Sequence, residues 1–171
     1  MKKFAIFVGI ICCALCMFSC NDTNEGVGNQ SSDIKVYGIE SVGRSDALKE
    51  HSKHVFSGNN IEWFNSKTRE IRFKGINPSS DVFPVYTKIE FRIDEKTLFT
   101  ASTFVNDSYS QSFYDLVIYY DVEQGKYYLN DCYPNIYEIK NSEEVKRNIK
   151  DREAQWETFI NTLKSENRIK E

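Results

Sequence analysis

Beyond residue 33 the chain runs in short stretches where apolar and polar side chains alternate, and only its last third changes to a longer period. Ile34 to Ile39 reads as a first short strand, and Ser45 to Lys53 as a short helix started by Ser45. Ile61-Glu62-Trp63-Phe64 and Glu70-Ile71-Arg72-Phe73 are strand ends around the polar turn Asn65-Ser66-Lys67-Thr68. From Tyr86 to Ile93 the alternation is cleanest: Thr87, Ile89, Phe91 and Ile93 share one face, and Tyr86, Lys88, Glu90 and Arg92 the other. Asp94-Glu95-Lys96 turns that strand into a partner over Thr97 to Val105. Tyr114 to Asp121 and Lys126 to Tyr133 form a second hairpin, in which Gly125 supplies the positive φ of the turn.

After Pro134, which lacks a ladder donor, the period becomes helical. Asn141 and Glu144 have capping-box spacing. Val145, Ile149, Trp156, Phe159, Ile160 and Leu163 then fall in one stripe about 100° wide. Such a helix needs an apolar surface, and the sheet offers one. The expected fold class is α+β: an antiparallel β-meander sheet packed against a long C-terminal α-helix, as one domain over residues 34–171.

The first twenty residues obey a different logic. Lys2 and Lys3 precede an apolar run from Phe4 to Phe18, and Ser19 and Cys20 close it. A positive start, an apolar stretch of about 15 residues and a small residue at the end make a secretory signal. The run is shorter than the roughly 20 apolar residues a spanning helix needs. Met17-Phe18-Ser19-Cys20 resembles the lipobox of bacterial lipoproteins, with Met17 where that pattern has Leu and Phe18 bulkier than usual at its place. The resemblance implies that residues 1–19 are removed and that Cys20 becomes a lipidated N-terminus. The simpler alternative is an ordinary secretory signal in which Cys20 is another thiol.

Residues 20–33 are polar apart from Cys20 and Val27 and read as a flexible tether, holding the domain roughly 20 Å from the anchor. Cys20-Asn21-Asp22-Thr23-Asn24-Glu25 looks like a sparse form of the acidic stretch that sends Bacteroidota-type lipoproteins to the cell surface. The expected location is the cell envelope, lipid-anchored at the outer membrane, with the membrane itself as one partner.

Charge and cysteine content narrow the field. Without residues 1–19 the chain carries 20 basic against 25 acidic residues, a formal net charge of −5. That argues against nucleic acid as a partner, because phosphate binding needs clustered Lys and Arg. Cys12, Cys13 and Cys16 leave with the signal and Cys20 is spent on lipid, so Cys132 remains alone and no intrachain disulfide forms. The core must hold the domain.

Glycine-rich phosphate loops, Gly-x-Ser-x-Gly elbows, Cys-x-x-Cys pairs and His-Glu-x-x-His sites are absent from the sequence. His51 and His54 would share a helix face, but read more simply as solvated, and neither a metal nor another cofactor is expected. Asp107, Asp115, Asp121 and Asp131 lie near aromatics and read first as turn and strand-edge acids. Cys132 reads as a small buried apolar group.

Tyrosine is the unusual feature: eight of ten lie between Tyr109 and Tyr137. Neighbouring strand residues point to opposite faces, so Tyr119-Tyr120 and Tyr127-Tyr128 each place one ring on either side of a sheet. Tyr109, Tyr119, Tyr128 and Tyr133 are the candidate binding rings. Arg152 is a further candidate, because it falls within the apolar stripe and must snorkel or pair with a carboxylate, Asp131 or Glu138 by position.

The layout from Ile61-Glu62-Trp63-Phe64-Asn65 and Glu70-Ile71-Arg72-Phe73 to Trp156-Glu157-Thr158-Phe159-Ile160 is similar to small, uncharacterised Bacteroidota-type lipoproteins, a likeness that transfers no site residue. The leading expectation is a non-enzymatic, lipid-anchored binding module for a glycan or a surface protein. Against it stand a small hydrolase acting on sugar or peptide, which needs a cleft with converging acids or a histidine, and an assembly subunit, which needs a broad apolar patch.

Overall fold

A computed structural model describes residues 33–42, 49–106 and 111–171. Among the described residues nine strands form one sheet: β1 (Lys35–Val42), β2 (Lys49–Ser57), β3 (Ile61–Asn65), β4 (Glu70–Phe73), β5 (Lys88–Ile93), β6 (Lys96–Asn106), β7 (Val117–Asp121), β8 (Lys126–Asn130) and β9 (Ile169–Lys170). The helices are short: α1 (Pro78–Asp81), α2 (Tyr137–Lys140), α3 (Glu143–Asp151) and α4 (Glu153–Ser165). Among the described residues no helix is long and apolar enough to cross a membrane. Cys20, the tether up to residue 32, Asp107 and Tyr109 lie outside the described residues.

The expectation of an antiparallel meander against one long helix is corrected on both counts. The strand order is β2-β1-β5-β6-β7-β8-β4-β3-β9. Two pairs in it are parallel, β6 with β7 and β3 with β9. β6 and β7 do not form a hairpin because the ten residues between Asn106 and Val117 carry the chain back to start beside Ser102. A segment of that length is near the dozen residues a parallel crossover takes. β9 arises after the last helix, where Asn167 at φ 57° ends α4 and the chain runs alongside β3.

The expected long helix is two helices. Arg152 leaves helical geometry at φ −105°, ψ 7°, closing α3 and opening α4. The apolar period runs through the break without changing phase, so it carried no mark of it. The N-cap is Ser142, one residue beyond the expected Asn141, and its hydroxyl accepts from the Val145 N–H at 3.3 Å. A third correction concerns Ser45 to Lys53: residues 49–57 are strand β2, and 43–48 lie outside the described residues. The polar run of β2 has no apolar face of its own, and its ladder to β1 supplies the order.

The sheet curls. Phe56 of β2 and Phe73 of β4 stand six places apart in the strand order, yet their rings meet at 5.4 Å. Accumulated right-handed twist brings the ends of a large sheet towards one another. α4 lies in the concave side, where Phe159 touches Phe64, Phe91 and Phe99 at 6.0, 5.7 and 5.2 Å between centroids. With Ile34, Val36, Ile61, Ile71, Ile89, Ile118, Leu129 and Leu163 these rings form the main core. β1 fits beneath it only because position 38 is glycine: the Tyr86 ring lies directly on Gly38, inside the space a Cβ would occupy.

Candidate functional site

The outer face of the curled sheet holds a second apolar cluster, separate from the core. Alternation decides its membership. Tyr120 and Tyr127 turn inward and meet at 4.8 Å, whereas Tyr119 and Tyr128 turn outward and stack at 5.4 Å. The parallel register sets Phe104 opposite Tyr119, with rings 5.5 Å apart. Tyr133 joins from beyond β8, at 4.6 Å from Phe104 and 4.9 Å from Tyr119. Phe113 bridges to Tyr133 through paired backbone hydrogen bonds and lies 5.3 Å from Phe104. None of these residues belongs to a helix.

The three described candidate tyrosines are therefore together, but not equally accessible. Tyr119 is buried, 7% exposed, while Tyr128 and Tyr133 are half-buried. Burial pushes all three phenols above their ordinary value, Tyr119 furthest, with Tyr128, Tyr133 and Asp121 adding to the effect on it. Each stays a neutral O–H at physiological pH. Asn130 Nδ2 donates to the Tyr119 hydroxyl at 3.2 Å, and the Tyr128 hydroxyl donates to Gln124 Oε1 at 2.8 Å. Asp121 holds Gln124 in place by accepting from its backbone N–H and side-chain amide, both at 3.0 Å. The result is a wall of rings with an amide and a carboxylate at its rim.

A second constellation occupies one end of the sheet, where β4 begins, β8 ends and the chain approaches β7. Arg152, at the junction of α3 and α4, donates from Nη2 to Asp131 Oδ1 at 2.6 Å and from Nη1 to Asp115. Arg69 donates to the other oxygen of Asp131, also at 2.6 Å, and its Cζ lies over the Trp156 ring at 4.4 Å. One carboxylate thus links two guanidiniums, each oxygen taking one. Asp131 is one of the two carboxylates that position along the chain marked for Arg152, and Asp115 is the partner that sequence missed. Both hydrogen-bonded arms of Arg152 are occupied, which makes it a tie between the helix junction and two strand ends rather than an open anion site.

Arg69 is the residue that sequence reasoning passed over. It closes the β3–β4 turn at φ 63°, in the left-handed region, while Asn65 Oδ1 accepts from the N–H groups of Lys67 and Thr68 at 2.9 and 2.8 Å. That conformation costs an ordinary side chain about 1–2 kcal/mol, and Gly or Asn would take it more easily. The one available signal was a bulky residue at the end of a polar turn, where glycine is customary.

Hollows ring this end of the molecule. One of about 480 Å³ has a floor of Phe64, Trp156 and Ile160 and an edge of Ser66, Arg69 and Asn161. Another of about 210 Å³ is bordered by Lys67, Thr68, Arg69, Asp131, Asn135 and Lys140. Cys132 also borders it, but is 1% exposed, and burial first and Asp131 second raise its thiol above the usual value, which keeps it a weak nucleophile.

His54 stands exposed on β2 with its ring edge-on to Tyr37 at 5.5 Å, while the side chain of His51 is outside the described set. Among the described residues no three His, Cys, Asp or Glu side chains gather closely enough to hold a metal ion. No family model matches this chain, and no curated protein or solved structure shows significant similarity to it.

Proposed function

We propose that this protein is a lipid-tethered envelope protein that binds a glycan on the outer aromatic face of its sheet. The observation that carries this reading is the second ring cluster: Phe104, Phe113, Tyr128 and Tyr133 grouped around a buried Tyr119, on the side opposite α4. A sugar presents flat C–H faces and a rim of hydroxyls. Rings receive the first, and the Gln124 amide, the Asp121 carboxylate and the tyrosine hydroxyls suit the second. Tyrosine offers such contact area at low entropic cost and is enriched at binding surfaces.

The tether belongs to the same reading and rests on the sequence alone. Lys2-Lys3, the apolar run and Ser19-Cys20 place a lipid on Cys20, and a polar arm of roughly 20 Å keeps the domain among envelope polysaccharides and proteins.

The decisive experiment is a glycan screen on the full protein held in detergent micelles, repeated with Tyr128→Ala and Tyr133→Ala together. Loss of binding with an unchanged thermal transition is the expected result. Binding that survives the double substitution overturns the reading, and selective capture of an envelope protein instead would give the face a protein partner.

A further inference from the structure

The proposed glycan-binding face adjoins, through the segment from Asn130 to Tyr133, the 210 Å³ hollow at the end of the sheet. Asn130 belongs to both: its side chain donates to Tyr119 on the outer face, and the residue also borders the hollow. The hollow is cationic. Lys67, Arg69 and Lys140 stand against the single carboxylate of Asp131, in a protein whose overall charge is negative.

The two lysines are not consumed by the fold. Among the described residues neither Lys67 nor Lys140 has a carboxylate within ion-pair distance. Arg69 is three-quarters buried and spends one Nη on Asp131. Among the described residues its Nε and second Nη meet no further acceptor, and neither is sealed from water, so both can reach a guest in the hollow. The left-handed backbone of Arg69 is a cost that a glycine would avoid. Asn135 and the Thr68 hydroxyl add neutral donors at the border, and Asp131 adds an acceptor. A small anion that also carries hydroxyl groups satisfies all of these at once.

We infer that the hollow receives the carboxylate of an acidic sugar, so that the glycan bound on the tyrosine face is a uronate-type polymer rather than a neutral one. The inference rests on the glycan reading above. A volume of about 210 Å³, below the roughly 300–1,000 Å³ of drug-sized pockets, takes one charged sugar unit while the rest of the chain lies along the rings. With three cations facing one carboxylate the site carries a surplus of positive charge, which suits an anionic guest and weakens as salt screens it.

The test measures binding of glucuronic acid oligosaccharides and of the equivalent neutral glucose oligosaccharides to the full protein in micelles, at low and high salt. It compares wild type with the Lys67→Gln, Lys140→Gln double variant. Both lysines are exposed, so the substitutions leave the core untouched, and an unchanged thermal transition checks this. We expect the acidic sugar to bind at least tenfold more tightly than the neutral one. That advantage should disappear in the lysine variant and at high salt, with the neutral sugar unaffected. Equal affinity for the two sugars, or an advantage that survives the substitutions, overturns the inference and leaves the glycan reading standing. Competition by acetate or phosphate as strong as that of the acidic sugar also overturns it, since the hollow would then take any oxyanion. If neither sugar binds, both readings fall.

Discussion

The two faces of the sheet use the same residue types to different ends. Inside the curl, Phe64, Phe91, Phe99 and Phe159 are covered on every side, and their polar neighbours are few. On the outside, Phe104, Tyr119, Tyr128 and Tyr133 make ring contacts at similar distances, yet Tyr128 and Tyr133 stay half-buried and three of the four rings carry a hydroxyl. Close packing alone asks for no hydroxyls. A face kept partly wet asks for an apolar body with a polar tip. The difference separates rings that hold the fold from rings available to a ligand.

Substitutions sharpen that contrast. The largest effect belongs inside: Phe159→Ala removes a fully buried ring from the centre of the core and should cost about 3–5 kcal/mol, read as a shift in the urea midpoint. An Ala at Phe159 that leaves the midpoint unmoved would refute the description of α4 as the filling of the curl. Gly38→Ala forces a Cβ into the Tyr86 ring and should cost about 1–3 kcal/mol by overpacking. In a Tyr86→Ala background the same Gly38→Ala change should cost much less, a non-additivity that a general intolerance at β1 would not give.

Arg152→Met comes next. Asp131 keeps Arg69, and Asp115 is 62% exposed, so the loss should stay below the range for a wholly buried pair. About 1–3 kcal/mol is expected, measured by chemical denaturation, and no change would show that the tie is dispensable.

On the outer face the sizes reverse between stability and binding. Tyr128→Ala should remove about 0.5–1.5 kcal/mol of ring contact while sharply weakening glycan binding. A loss of stability as large as that of Phe159→Ala would place this face with the core.

The smallest effects are chemical. Tyr119 has its phenol raised above the ordinary 10.0, chiefly by burial. The folded state therefore favours the neutral form. Its contribution to stability is complete below pH 10 and is lost as the pH rises from there through the raised value. Thermal transitions measured upward from pH 9 should fall more steeply for wild type than for Tyr119→Phe. Equal slopes would contradict the burial of that ring. Cys132, buried with a raised thiol, should react with iodoacetamide slowly in the native protein and rapidly in urea.

Much of the local structure was legible along the chain. Alternation over Tyr86 to Ile93 located β5, the positive φ of Gly125 closes the β7–β8 turn, and adjacent tyrosines divide between the faces because strand residues alternate. Arg152 was conspicuous as a charge in an apolar stripe, and Asp131 was within its reach. The candidate site was half visible. Its tyrosines stood out by density, but Phe104 and Phe113 did not, since only the parallel pairing of β6 with β7 brings them to Tyr119 and Tyr133.

The sequence by itself marked the strands with clean alternation, from β3 to β8, because backbone period and turn chemistry are set by neighbours a few residues apart, but it did not mark β2, β9 or the helix break at Arg152. It also determined which side chains share a face. Tertiary structure decided what lies next to what. Only the return of the chain after Asn106 made β7 parallel to β6, only the curl brought Phe56 to Phe73, and only the convergence of strand ends placed Arg69, Asp115 and Asp131 around Arg152. These contacts join residues far apart in the chain, and their free energy depends on loop closure and on surfaces buried together. No local pattern carries that information.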